Sequence, residues 1–170
     1  MQDAWHLLCV KIRSFTPPRK DDVIPDDIPL RILIIEQDED MLDLLEDEIK
    51  EMGHRVTRAT GEASAILEAS VKQFDVVITE VGFSGAMEPE FLANLKRLQP
   101  SASIVAMTNF GTEAMVREAF RKGADYYVAK PVQMGNLKDF IGHLGRERMK
   151  FLGNKDPSGR RIAKSGGDID

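Results

Sequence analysis

"FDVVITEVGFSGAM", residues 74–87, decides the fold of this chain. Val76, Val77 and Ile78 form an apolar run, Thr79 follows, and Glu80 closes it ahead of a loop carrying Gly82, Ser84 and Gly85. A run without polar alternation is the mark of a strand covered on both faces. An acid where such a strand emerges stands where open α/β sheets bind their ligands.

Working outward, four more strand-like runs flank this one. They are "RILIIE" (31–36), "RVTRAT" (55–60), "SIVAMT" (103–108) and "DYYVAK" (125–130), and the central run covers 74–80. The second alternates weakly and reads as an edge strand. Between them the apolar period changes to that of a helix. Leu42, Leu45, Ile49 and Met52 repeat at three- and four-residue steps, with Gly53 as the stop. Phe91, Leu92, Leu95 and Leu98 form a stripe ended by Pro100, and Met115, Val116, Ala119 and Phe120 one ended by Gly123. Leu137, Phe140, Ile141 and Leu144 line the last helix, which extends to about Leu152. In "GEASAILEASV" (61–71), Ala63, Ile66, Leu67 and Val71 share a face and are expected in the core with the other stripes. Strict βα alternation implies right-handed crossovers and a parallel sheet with helices on both sides.

The rest of the chain bounds the function. A length of 170 residues, 42% hydrophobic and 30% charged, suits one soluble domain with tails. "TPPRKDDVIPDDIP" makes residues 1–29 an extension and linker, in which "WHLLCVKI" reads as an added strand, a docking segment or the product of a mis-set start. Residues 30–152 form the domain, and "GNKDPSGRRIAKSGGDID" makes 153–170 a flexible tail. One cysteine, Cys9, excludes an internal disulfide framework and suits a cytoplasmic location. No apolar run reaches the roughly 18 residues of a membrane helix, so no membrane role is expected. A net charge of −5 argues against bulk nucleic-acid binding, although Arg146, Arg148, Lys150, Lys155, Arg160, Arg161 and Lys164 leave a tail-mediated adaptor as an alternative. His6, His54 and His143 lack zinc-ligand spacing. No phosphate-binding glycine loop follows the first strand: "EQDEDM" would repel phosphate, which disfavours a flavin or nucleotide enzyme.

The strand C-termini share one edge, and they deliver Glu36, Gln37 and Asp38, then Glu80, Thr108, and Lys130 with Pro131. Core packing has no use for such a set, because buried charge is costly unless paired. "RILIIEQDEDMLDLL", "FDVVITEVGFSG", "IVAMTNFG" and "GADYYVAKPV" together resemble the receiver domain of two-component response regulators, over residues 30–150 and in the right order. The resemblance implies a flavodoxin-like, doubly wound five-stranded parallel sheet of order 2-1-3-4-5. It places the phosphoacceptor position at Glu80 and the metal-binding acids at Glu36 and Gln37. The phosphoryl-contacting hydroxyl falls on Thr108, the neutralising lysine on Lys130, the switch aromatic on Tyr127, and a cis bond on Lys130-Pro131.

Two positions depart from the family pattern. Glu80 stands where the family has an acceptor aspartate, and Gln37 replaces one metal-binding acid. An amide oxygen brings no charge to Mg²⁺, so no resident cofactor is expected and weak Mg²⁺ binding is the most that remains. Asp38 completes the degraded acidic pocket with Glu36 and Gln37, where it either substitutes as a metal-binding acid or caps the first helix, the cap being the preferred reading. Three readings of Glu80 stand. It pairs with Lys130 and accepts a hydrogen bond from Thr108, biasing the domain towards an active-like state without modification; it forms with Lys130 a partly buried ion pair that only keeps the fold; or it, or a neighbour, is still phosphorylated. The reading is a stand-alone, atypical receiver in a bacterial pathway, without enzymatic activity, acting by protein contact and independently of phosphorylation. A phosphorylatable regulator with a degraded Mg²⁺ site is the alternative. The expected contact surface is the face of helix four, strand five and helix five, presenting Glu113, Arg117, Arg121, Lys122, Tyr126 and Tyr127, with homodimerisation as one use of it.

Overall fold

The computed structural model describes residues 29–81, 89–109 and 112–153. Most of the expected linker and tail, and the loop with Gly82, Ser84 and Gly85, lie outside the described residues. Five strands alternate with five helices: β1 (Arg31–Ile35), α1 (Glu39–Glu51), β2 (Arg55–Ala59), α2 (Glu62–Val71), β3 (Val76–Glu80), α3 (Pro89–Leu98), β4 (Ser103–Thr108), α4 (Glu113–Arg121), β5 (Tyr126–Ala129) and α5 (Met134–Gly153). The strands pair in parallel in the order β2-β1-β3-β4-β5, so β2 is an edge strand. Register aligns Ile35 with Thr79 and Glu80 with Met107, which brings the strand ends together at one edge.

Side chains alternate across the sheet and build two cores. Ile32, Ile34, Val76, Ile78, Val105, Met107 and Val128 face α1 and α5, meeting Leu42, Leu45, Ile49, Leu137, Phe140, Ile141 and Leu144. Leu33, Ile35, Val77, Ile104, Ala106 and Tyr127 face α2, α3 and α4. Tyr126 and Tyr127 therefore cannot share a surface. Tyr127 is buried, while Tyr126 is half-buried and meets Phe140 edge-on at 4.4 Å between ring centroids. The expectation that both tyrosines are displayed together is corrected by the pleat itself.

The α2 stripe is also corrected. The buried positions are Ala65 and Ala69, with Ile66 packed against them, whereas Leu67 and Val71 are 63% and 70% exposed. Small side chains let α2 lie close to the sheet and to α3, and that approach rotates the larger ones outward. The other stripes face inward. Helix ends follow local chemistry: Asp38 Oδ1 accepts from the Met41 amide to cap α1, and Gly53 and Gly123 stop α1 and α4 with φ of 85° and 113°.

Polar ties lock the opposite, strand-start edge. Asp75 accepts from the Arg31 amide at 2.9 Å and from its guanidinium, tying β1 to the approach of β3. Gln99, 1% exposed, accepts from the Phe74 amide and donates to the carbonyls of Ala69 and Lys72. Among the described residues no helix is long and apolar enough to cross a membrane.

Candidate functional site

Backbone bonds carry the sheet past its last strand residues and so place the site. The Glu36 amide donates to Ala59 O, the Val81 amide to Met107 O, and the Lys130 amide to Thr108 O. Lys130 then enters a cis bond to Pro131. These fixed segments line an open cleft of about 450 Å³, walled by Glu36, Gln37, Asp38, Met41, Glu80, Asn109, Lys130 and Pro131.

An ionic triad occupies the floor. Lys130 Nζ donates to Glu36 Oε2 at 2.7 Å and to Glu80 Oε1 at 2.9 Å. The side chains of Lys130, Glu36 and Glu80 are 9%, 1% and 12% exposed. Glu36 Oε1 also accepts from the amides of Gln37 and Asp38, so both oxygens of its carboxylate are engaged. Burial pushes the Glu36 carboxyl above the ordinary carboxylate range, and the bonds from Lys130 and the Asp38 amide only partly offset it. Burial opposes the Lys130 charge, but its two carboxylate partners overcome that and hold its pKa above the usual lysine value. The ammonium therefore stays charged, and the second carboxylate it must satisfy is Glu36, the deeper one.

Asn109 is a member of the site that sequence reasoning missed. Its Nδ2 lies 3.3 Å from Glu80 Oε1, and the neighbouring Thr108 lies beside Tyr127. The signal was present, since Asn109 directly follows the strand-end Thr108, but an uncharged amide does not stand out among acids and a lysine. Tyr127 is 6% exposed; burial raises its hydroxyl pKa and the neighbouring Thr108 side chain partly offsets the rise. Its oxygen makes no well-formed hydrogen bond. Of the expected residues, the structure brings together Glu36, Glu80 and Lys130. Gln37, Asp38 and Pro131 line the cleft around them, Gln37 exposed and Asp38 capping α1, while Thr108 lies beside Tyr127 and its carbonyl accepts from the Lys130 amide.

The donor set does not suit Mg²⁺. That ion wants several anionic or water oxygens in near-octahedral array. Here the Glu36 oxygens are occupied by two amides and an ammonium, Glu80 Oε1 by an ammonium and an amide, and Gln37 contributes no charge. A cation would have to displace Lys130 from its carboxylates.

Comparison with known proteins adds the family context. The response regulator receiver domain family matches residues 32–142. The two-component response regulator ARR2 of Arabidopsis thaliana is 28% identical over 143 residues, covering 83% of this chain and 21% of that protein. The transcriptional regulatory protein ZraR of Klebsiella oxytoca is 26% identical over 107 residues, covering 63% and 24%. The chain thus spans about a fifth to a quarter of these relatives' length. Among solved structures, a CheY-like receiver domain protein from Methanospirillum hungatei aligns with a TM-score of 0.67 at 22% identity, covering 72% of this chain and 98% of that one. A Burkholderia pseudomallei response regulator with a phosphorylated aspartic acid, calcium ion and citrate aligns at 0.62 and 24% identity, covering 74% and 75%. At such identity the structures establish the fold alone.

Proposed function

Because this chain belongs to the response regulator receiver domain family, we propose that it works in two-component signalling as an atypical receiver whose state does not depend on phosphorylation. The observation that carries this reading is the occupancy of Lys130. The resemblance assigns that lysine to neutralise a bound phosphoryl group, and here its ammonium is held by Glu36 and Glu80 of the same chain. The longer side chain at position 80 carries its carboxylate to the lysine directly. In-line phosphoryl transfer rests on metal and positioning, and the first of these lacks a suitable donor set.

Output in this reading passes through protein contact. Lys130 is bonded through its backbone to Thr108, and Thr108 lies against Tyr127, so the triad is linked to β5 and to α4 through covalent and packed neighbours. Within α4, β5 and α5, α4 carries ion pairs of Arg117 with Glu113 and Arg121 with Glu118, and Tyr126 of β5 packs on Phe140 of α5. In this reading a protein partner or a second copy uses this surface.

Intact mass after incubation with a small acyl phosphate and Mg²⁺ tests the reading. The natural chain is expected to gain no phosphoryl group, while Gln37→Asp/Glu80→Asp, which restores both departures, gains one. A phosphoryl group on the natural chain overturns the proposal.

A further inference from the structure

The outward face of α2 is unsatisfied in an unusual way. Leu67 and Val71 are two of the three exposed large apolar side chains among the described residues, and at a four-residue spacing they form one stripe with exposed Ala63. We propose that this stripe is the docking site for the chain's own apolar N-terminal segment, "WHLLCVKI", residues 5–12. The inference is independent of how Glu80 and Lys130 are read.

Geometry brings the two together. Val71 lies four residues before Asp75, so about 14 Å of chain at most separates them. The Asp75 amide donates to Arg31 O at 2.8 Å, and its carboxylate accepts from the Arg31 amide. The described chain begins at Pro29, two residues before Arg31, and hence leaves the domain at the end of α2 that carries Val71. Residues 13–28 can span up to about 55 Å, far more than the path needs. Tethering at such range supplies an effective concentration on the order of millimolar, enough for a small apolar contact to be populated.

Size favours this occupant over a second copy. Ten residues of helix present a face of about 150 Å², taking a length of about 15 Å and a width of about 10 Å. A stable dimer buries about 800 Å² on each partner, which this stripe cannot supply. Trp5, Leu7, Leu8, Val10 and Ile12 provide more apolar surface than the stripe requires. The stripe also lies away from the cleft, on a helix that packs against β2, β1 and α3.

Both probes needed for the test are already in the segment: Trp5 is the only tryptophan and Cys9 the only cysteine. In the full chain, Trp5 emission is expected to be blue-shifted, with acrylamide quenching several-fold weaker than for free tryptophan. Leu67→Ser/Val71→Ser, at exposed positions that leave the fold intact by circular dichroism, is expected to return both to solvent-like values. A nitroxide on Cys9 is expected to broaden the amides of residues 63–71 within its own molecule. Solvent-like Trp5 in the natural chain overturns the proposal, as does a protected Trp5 that ignores the double substitution. Broadening seen only between differently labelled molecules assigns the stripe to a second copy and also overturns it.

Discussion

Replacing Lys130 by methionine removes the cation from between two carboxylates that have almost no access to water. Glu36 is 1% exposed and Glu80 12%. Breaking a buried pair by deleting one partner costs about 3–5 kcal/mol, because a charge is left uncompensated. Two features place this case at the low end: Glu36 keeps two amide donors, and Glu80 keeps Asn109 and a route to the cleft. A loss of about 3 kcal/mol at about pH 7.5 is expected, which is a shift of about 1.5 M in the urea midpoint for an m-value of about 2 kcal/mol/M. The loss depends on pH with a definite sign. The Glu36 pKa is already raised by burial, and Lys130→Met removes a bond that was lowering it, so it rises further. A carboxyl whose folded pKa lies above its unfolded value contributes stability below the unfolded pKa and loses it as pH climbs through the folded one. The deficit should therefore shrink towards about 1 kcal/mol, the worth of a lost hydrogen bond, at about pH 5. Adding Glu36→Gln and Glu80→Gln to Lys130→Met should recover much of the stability at neutral pH, since no buried charge then remains. A deficit below about 1 kcal/mol that is the same at both pH values would refute the reasoning.

Other perturbations test the frame around the site. Gln99→Ala strands the Phe74 amide and two carbonyls, so it should cost about 2–4 kcal/mol and speed hydrogen exchange at Phe74 selectively. Asp75→Ala unties the Arg31 amide and guanidinium and should cost about 1–3 kcal/mol, read as a fall in Tm of about 2–4 °C per kcal/mol. Gly123→Ala should be worse than Gly53→Ala in the same melt. Both sit at positive φ, but a Cβ at Gly123 meets Lys96 Cβ at 2.9 Å, whereas none of the described atoms lies within 4 Å of one at Gly53. Equal falls in Tm would show that the contact with Lys96 has no weight.

The fold was legible wherever the apolar period was long. Val76, Val77 and Ile78 could belong only to a covered strand, and strict alternation left one hand for every crossover. α2 misled because its apolar residues run around most of the helix, so periodicity alone could not say which face was inward; the closeness allowed by Ala65 and Ala69 decided it. At the site, the positions of Glu36, Glu80 and Lys130 followed from strand ends. The pairing of Glu80 with Lys130 followed too, but the second bond, from Lys130 to Glu36, did not, because which oxygen meets which nitrogen depends on side-chain reach of an ångström or two. Asn109 was passed over although it directly follows Thr108, whereas the approach of Thr108 to Tyr127 and the ties at Gln99 and Asp75 lay beyond reach because they join residues distant in sequence.

The claim that the lysine is satisfied from within the chain is tested most directly by adding what would compete for it. Titration of isotope-labelled protein with Mg²⁺ and beryllofluoride, a phosphoryl mimic, can be followed at the amides of Glu36, Glu80, Thr108 and Lys130. The account predicts no saturable shift at any of them, because Lys130 already holds two carboxylates. Saturable shifts that converge on these four residues and extend into α4 would contradict it, and would make the cleft a working phosphoryl site.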